Sequence, residues 1–423
     1  MLTAVVGINW GDEGKGRMVD LMSEGYDVIC RYQGGNNAGH TVINEKGKFI
    51  LNLLPSGILR DGTVNVMGGG MVIDIEHLCG EIKALGEKNI GVTPDSLKIS
   101  DNAFICMPYH KAQDILEEER LGDKKYGSTR RGIAPVYGDK YMKKGLRMGD
   151  LLDAGTLKQK LSDILEWKNL SLKGYGSGGI DLSDTLRWLD EYGTRLAPFI
   201  TDTAEYLSEA ACDGKDILFE AQLGALRDID YGIYPYTTSS QTLAAYAPIG
   251  AGIPGTKLDR VVGVMKAYSS CVGEGPFTAE MFGDEATMLR EAGAEYGAAT
   301  GRPRRVGGFD IPASRYGTNV QGADELALTK LDVLSYLDKI PVCVAYEIDG
   351  IKTDRFPSGD KLMKAKPVYE YLDGFKTDIS KCRKAEDLPA AAVKYIQYIE
   401  SAVGCPIKYV SVGAGRDDYM AMR

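Results

Sequence analysis

The sequence predicts an α/β fold in which helices cover one large, mostly parallel central sheet with inserted subdomains. Three observations carry this. Short apolar runs alternate with stretches of helical spacing. Several of those runs end at polar clusters, the place where ligands of open parallel sheets sit. The first run, Thr3–Ile8 (TAVVGI), passes straight into a glycine-rich stretch, NWGDEGKG at 9–16.

Taken in order, Thr3–Ile8 reads as a buried strand, Val19–Ser23 as a short helix and Tyr26–Tyr32 (YDVICRY) as a second strand. Phe49–Leu54, Val64–Met67 and Met71–Ile75 add short strands. Glu76–Glu87 places Leu78, Ile82 and Leu85 on one helical face. Pro108–Leu121, Thr156–Leu165 and Asp184–Ala211 read as further helices. Asp216–Glu220, Arg260–Ala267, Leu326–Thr329, Pro341–Tyr346 and Ile407–Val412 are apolar strands that each end at a polar cluster, and Leu388–Ala402 is a late helix. Tyr175–Gly179 (YGSGG) reads as a flexible loop. No linker, repeat or low-complexity segment cuts the 423 residues, so one domain over 1–423 with helical and loop insertions is expected.

Composition narrows the class. With 44% apolar and 26% charged residues the chain is an ordinary globular one, and a net charge of −9 argues against a nucleic-acid binder. A local basic cluster can still hold a small anion against that mean field. None of the eight cysteines forms a C-x-x-C pair, which suits free thiols in a reducing cytoplasm. His40, His77 and His110 are too few for a multi-histidine metal site. No leader and no membrane span is expected.

Four stretches carry chemistry. In GDEGKGR (11–17), three glycines at a strand-to-helix turn let backbone N–H groups approach a phosphate, and Lys15 adds a positive charge. The stretch resembles a phosphate-binding loop, which gives the fold its P-loop-NTPase-like character, yet Asp12 and Glu13 sit inside it. Those acids suggest a metal ligand or a base beside the phosphate. RYQGGNNAGHT (31–41) follows the second strand and places His40 in a polar loop as an acid or anion stabiliser. AATGRPRR (298–305) puts three arginines in four positions, either a solvated loop or a clamp for carboxylate or phosphate. TKLD (329–332) follows an apolar run and is similar to the signature by which GTP-binding proteins read guanine.

Together these stretches resemble the adenylosuccinate synthetase family over essentially the whole chain. The carriers are WGDEGKG, RYQGG-NAGHT, GSTRRGIAP (127–135), LRMGDL (146–151), DID-G-YPY-TSS (228–240), KAYS-VG-GPF (266–277), ATGRPRR and TKLD. The resemblance implies a GTP-dependent ligase of purine biosynthesis that joins IMP and L-aspartate with Mg2+, through a 6-phosphoryl-IMP intermediate, as a homodimer.

It also implies roles for residues. Asp12 is the base at the purine N1 and a magnesium ligand with the Gly39 carbonyl; His40 is its partner acid, and Lys15 neutralises phosphate. GTP is expected on Gly11, Asp12, Glu13, Gly14, Lys15, Gly16, Arg17, Gly39, His40, Thr41 and Arg304. Its guanine is expected on Lys330, Leu331 and Asp332, with Ser411, Val412 and Gly413. IMP is expected on Asp12, Glu13, Gly14, Lys15, Asn37, Ala38, Gly39 and His40, with Thr129, Lys143, Gln222, Thr238 and Arg302. Ala298, Ala299, Thr300, Gly301, Arg302 and Arg304 are expected to hold aspartate.

The chain departs from the family pattern in places. Asn36 stands where many members have His, and Arg130 adds a charge to the 127–135 stretch. Lys143 replaces an arginine that reaches the partner's IMP. E-A-Q-L-G at 220–224 replaces E-G-A-Q-G, which puts Leu223 in the place of an IMP-contacting glutamine and Gln222 one place early. Two other readings compete: the same chemistry on another 6-oxopurine nucleotide such as dGMP, and a non-catalytic GTP-binding switch. A dinucleotide-binding oxidoreductase is disfavoured, since no G-x-G-x-x-G follows Thr3–Ile8.

Overall fold

Along the first strand, Leu2–Gly7 (β1), successive side chains face opposite ways. Ala4 and Val6 pack with Val28, Cys30 and Phe219 on one side, while Val5 packs with Ile29, Leu218 and Val264 on the other. Both faces are therefore buried, as a parallel sheet covered by helices requires. The structure is a computed structural model that describes residues 1–44, 47–297 and 301–422, the Asn44 side chain excepted.

Nine more strands join β1: Val28–Arg31 (β2), Val64–Met67 (β3), Leu97–Ser100 (β4), Ile200–Thr201 (β5), Ile217–Glu220 (β6), Arg260–Lys266 (β7), Glu325–Thr329 (β8), Ile407–Ser411 (β9) and Tyr419–Ala421 (β10). Their order is β10-β9-β8-β7-β1-β6-β2-β3-β4-β5. Neighbours are parallel throughout except the edge pair β9/β10. The carboxyl ends of β1, β2, β6, β7, β8 and β9 thus lie along one rim of the sheet.

Several expected elements take another form. The first helix starts at Lys15, inside the glycine loop, not at Val19. Gly14 precedes it with φ 96°, a left-handed conformation open to glycine. The single helix expected over Asp184–Ala211 is two, Leu182–Leu196 and Thr203–Cys212, separated by β5. Pro198 lies in the break, and the Asp202 carboxylate caps the second helix by accepting from the Ala204 and Glu205 N–H groups, each at 3.0 Å. The strand at Pro341–Tyr346 is real but outside the central sheet. It belongs to Lys339–Ile348, which pairs antiparallel with Lys366–Asp373 and Ile351–Thr353 in a separate sheet. Helices Ile133–Met142, Gly283–Ala292 and Ile311–Gln321 went unread, because their glycine and polar content blurs the helical period.

Candidate active site

Loops leaving β1, β2, β6 and β8 close around one cavity of about 190 Å³. Asp12, Lys15, His40, Gln222, Arg304 and Lys330 all line it, with Arg31, Glu220 and Thr329 at the strand ends. Backbone N–H groups at the start of the Lys15–Met22 helix have no helical partner and face this space, as an anion site needs.

The acids of the first loop do different things. Glu13 is 2% exposed, and its carboxylate accepts from the Asn9 N–H (3.1 Å), the Gly11 N–H (2.8 Å) and the Lys15 ammonium (2.6 Å). It holds the loop in shape and fixes Lys15, so its carboxylate is fully engaged within the loop. Asp12 instead faces the cavity from a left-handed backbone, φ 59°, which for a non-glycine costs about 1–2 kcal/mol. Its Oδ2 meets the Arg304 Nε at 2.9 Å. Thr329 ties the loop to the 329–332 stretch by donating to the Glu13 carbonyl at 2.7 Å.

His40 opens the strand His40–Asn44 and is enclosed by Gly16, Arg31, Lys15 and Glu220. Burial drives its pKa down to about 4; Glu220 opposes the shift, and Arg31 and Lys15 add to it. At neutral pH the ring is uncharged. Its buried Nε2 has no hydrogen-bond partner among the described residues and lies 3.5 Å from the Glu220 Oε1. Glu220 is itself held by the Ser56 N–H and hydroxyl, both at 2.8 Å. Such an orphaned ring nitrogen beside a phosphate loop is poised for a ligand.

In the altered E-A-Q-L-G stretch, Gln222 and Leu223 take different places. The Gln222 amide accepts from the Gly35 N–H (3.1 Å) and donates to the carbonyls of Gly35 (2.8 Å) and Ala38 (3.1 Å). It braces the 33–38 loop from the cavity wall. Gly34 has to be glycine: its φ is 82°, and a Cβ there would lie 1.8 Å from the Gln222 Oε1. Leu223 takes a left-handed φ of 64° and packs against Gly11.

A second cluster surrounds Asp332. Burial raises its pKa, and its Oδ1 is buried without a hydrogen-bond partner among the described residues. Arg17 lies close by and donates to the carbonyls of Gly413 (2.6 Å) and Gly415 (3.2 Å), so its guanidinium holds the C-terminal segment. Leu331 and Val412 are fully buried beside this cluster.

Other expected residues lie apart from the central cavity. Thr129 and Lys143 are exposed, and Arg302 lies 3.7 Å from Glu274 at the surface. Thr238 and Asn37 each keep a buried side-chain oxygen with no hydrogen-bond partner among the described residues. Ala298, Ala299 and Thr300 lie outside the described residues.

The adenylosuccinate synthetase family model matches residues 4–420. The chain belongs to the adenylosuccinate synthetase family. Adenylosuccinate synthetases of Caldanaerobacter subterraneus and Streptococcus gordonii are each 45% identical to it, over 100% and 98% of this chain and 99% and 96% of theirs. The fully ligated adenylosuccinate synthetase of Plasmodium falciparum superposes with a TM-score of 0.94 at 37% identity, covering 100% of both chains. A cyanophage S-2L succinoaminodeoxyadenylate synthetase, solved with dGMP and dATP, matches at a TM-score of 0.61 and 20% identity, which speaks to the fold alone. As a member of this family the protein is a GTP-dependent ligase of IMP and aspartate, in purine biosynthesis, and the family uses a metal ion. No helix among the described residues is long and apolar enough to cross a membrane.

The residues missed in the sequence are those whose roles are purely tertiary. Glu295 is a single charged residue outside every quoted motif, while Lys266 and Glu220 open the 266–277 and 220–224 stretches but had no role read for them. Only their position at strand ends, or at the foot of the 298–304 stretch, hinted at a role.

Proposed function

We propose that Asp12 is the general base of the ligation and that His40, Lys15 and Arg304 stabilise charge around it. Asp12 removes the N1 proton of IMP, which makes the 6-oxygen a nucleophile toward the γ-phosphate of GTP. His40, neutral at pH 7, donates a ring N–H to charge developing between the 6-oxygen and that phosphate. Lys15 and the loop N–H groups neutralise the phosphate oxygens. The aspartate amine then displaces phosphate from C6 of the 6-phosphoryl-IMP. Arg302 and Arg304 hold the aspartate and nucleotide ends, and Lys330 and Asp332 hold guanine.

A metal fits this donor set. Among the described residues no cluster of three or more His, Cys, Asp or Glu side chains forms a cage. The Asp12 carboxylate and the Gly39 carbonyl are hard oxygen donors on one cavity. That suits Mg2+, which keeps most of its ligands as phosphate and water oxygens. When bound, it would neutralise phosphate charge. A homodimer belongs to this reading through the family pattern, in which Lys143 stands where an arginine reaches the partner's IMP. A cytoplasmic setting agrees with eight cysteines that are all free.

The observation that carries the reading is that Asp12, Lys15, His40, Arg304 and Lys330 share one cavity. The test is Asp12→Asn. GDP formation dependent on IMP and aspartate should fall by about 10²–10⁴-fold, while GTP binding by calorimetry stays within a few-fold. A rate like wild type would remove Asp12 from the role of base.

A further inference from the structure

One buried carboxylate lies outside the reacting groups yet touches two residues that line the cavity, Arg304 and Lys330. Glu295 has no exposed surface and follows the helix Gly283–Ala292, at the foot of the stretch that carries Arg302 and Arg304. Its backbone carbonyl accepts from the Arg304 N–H at 2.9 Å, and the Arg302 carbonyl accepts from the Gly297 N–H at 2.8 Å, so the stretch doubles back on itself. Its side chain collects four donors. Lys266, ending β7, places its Nζ 2.8 and 3.0 Å from the two oxygens; Lys330, just past β8, lies at 2.7 Å and Arg304 at 2.9 Å. The Tyr268 hydroxyl is the fourth.

Arg304 then reaches Asp12 with its Nε at 2.9 Å. A continuous chain of contacts therefore runs Lys330–Glu295–Arg304–Asp12, from the guanine side of the cavity to the base. Three cations that would otherwise repel one another are held together by one anion, and an anion with no solvent contact persists only with such compensation. Lys330 also donates to the Gly293 carbonyl at 2.7 Å, so both its bonds go to the segment bearing Glu295.

We propose that Glu295 is a positioning residue for the ligase reaction, fixing Lys330 for the guanine base and Arg304 against Asp12. One carboxylate then sets base recognition and the surroundings of the general base together. The proposal rests on the assignment of Lys330 to guanine made above.

The test uses Glu295→Gln, which keeps shape and removes charge, and Glu295→Asp, which keeps charge and withdraws it by one methylene. Glu295→Gln should raise KM for GTP about tenfold or more and lower the preference for GTP over ATP similarly, with a smaller fall in kcat. Glu295→Asp, which keeps the charge in the cluster but lengthens its contacts to Lys330 and Arg304, should raise KM for GTP about threefold. A purely structural role would lower thermal stability and the active fraction and leave both KM and preference unmoved.

Lys330→Met supplies the partner for a double-variant cycle. Combined with Glu295→Gln it should be no worse for GTP than Lys330→Met alone, because both remove one interaction. Additive effects, or GTP KM and preference within about twofold of wild type in both Glu295 variants, would overturn the proposal. If Lys330→Met alone leaves KM for GTP unchanged, the guanine assignment fails and the proposal falls with it. If it raises KM while the Glu295 variants are silent, the assignment stands and only the Glu295 role is lost.

Discussion

Replacing Glu13 by glutamine tests why an acid belongs in a phosphate loop. The carboxylate is 2% exposed and accepts two loop N–H groups and the Lys15 ammonium, the last at 2.6 Å. The glutamine oxygen can keep both N–H bonds, but its NH₂ then confronts Lys15 donor to donor. Lys15 is left as a buried cation without its partner, a change that costs about 3–5 kcal/mol. For 423 residues the entropy of unfolding is about 0.9 kcal/mol/K, so the melting midpoint should fall by about 3–6 °C. Glu13→Ala also strips the acceptor from two N–H groups and should fall further, by about 1–3 kcal/mol for each. Differential scanning calorimetry reads both. Saturating GTP with IMP should narrow the gap for Glu13→Gln, because phosphate gives Lys15 a new anion. A Glu13→Gln midpoint within about 1 °C of wild type in the absence of nucleotides would refute the reasoning.

Three further outcomes are expected. Asp332→Asn should reduce the preference for GTP over other purine triphosphates by about 10–100-fold in kcat/KM, since a carboxylate alone accepts from both guanine donors; an unchanged preference would place guanine reading elsewhere. Gln222→Glu should lower stability by about 3 kcal/mol or more, because a buried carboxylate would face the Gly35 and Ala38 carbonyls; a near-native melting midpoint at pH 8 would contradict the bracing role. Asp310 is fully buried, and burial raises its pKa to about 7. Because the folded value lies above the unfolded one, its contribution to stability is complete below about pH 4 and is lost as pH rises through about 7. Asp310→Asn should therefore gain about 2–3 kcal/mol on wild type between pH 5 and 8, read from urea midpoints; parallel pH curves would exclude it.

Much of the frame was legible because parallel strands buried on both faces leave continuous apolar runs. Val64–Met67 and Pro108–Leu121 have the expected bounds, and β1, β6, β7, β8 and β9 lie within a residue or two of them. Errors arose where a local period had two tertiary outcomes. Asp184–Ala211 has helical spacing on both sides of Pro198, and only β5, pairing with β4, shows that the chain crosses the sheet edge there. Lys339–Ile348 reads like a core strand, yet its partner is Lys366–Asp373, whose half-exposed, mixed composition gave no strand signal.

The sequence by itself determined which side chains are present for the chemistry: a glycine-rich loop with Asp12, Glu13 and Lys15, a loop with His40, an arginine-rich stretch and the TKLD stretch. These are contiguous, and local spacing is enough to define backbone N–H groups, charge and hydrogen-bonding type. Tertiary structure decided which carboxylate is available. Asp12 and Glu13 are adjacent and alike in sequence, but the left-handed backbone at Asp12 turns one into the cavity while the other closes on Asn9, Gly11 and Lys15. It also decided that Glu295, distant in sequence from Lys266 and Lys330, meets both of them and also Arg304, which in turn reaches Asp12. The reason is physical: a buried charge is stable only among compensating partners, and those partners are brought together by strand order and not by spacing along the chain.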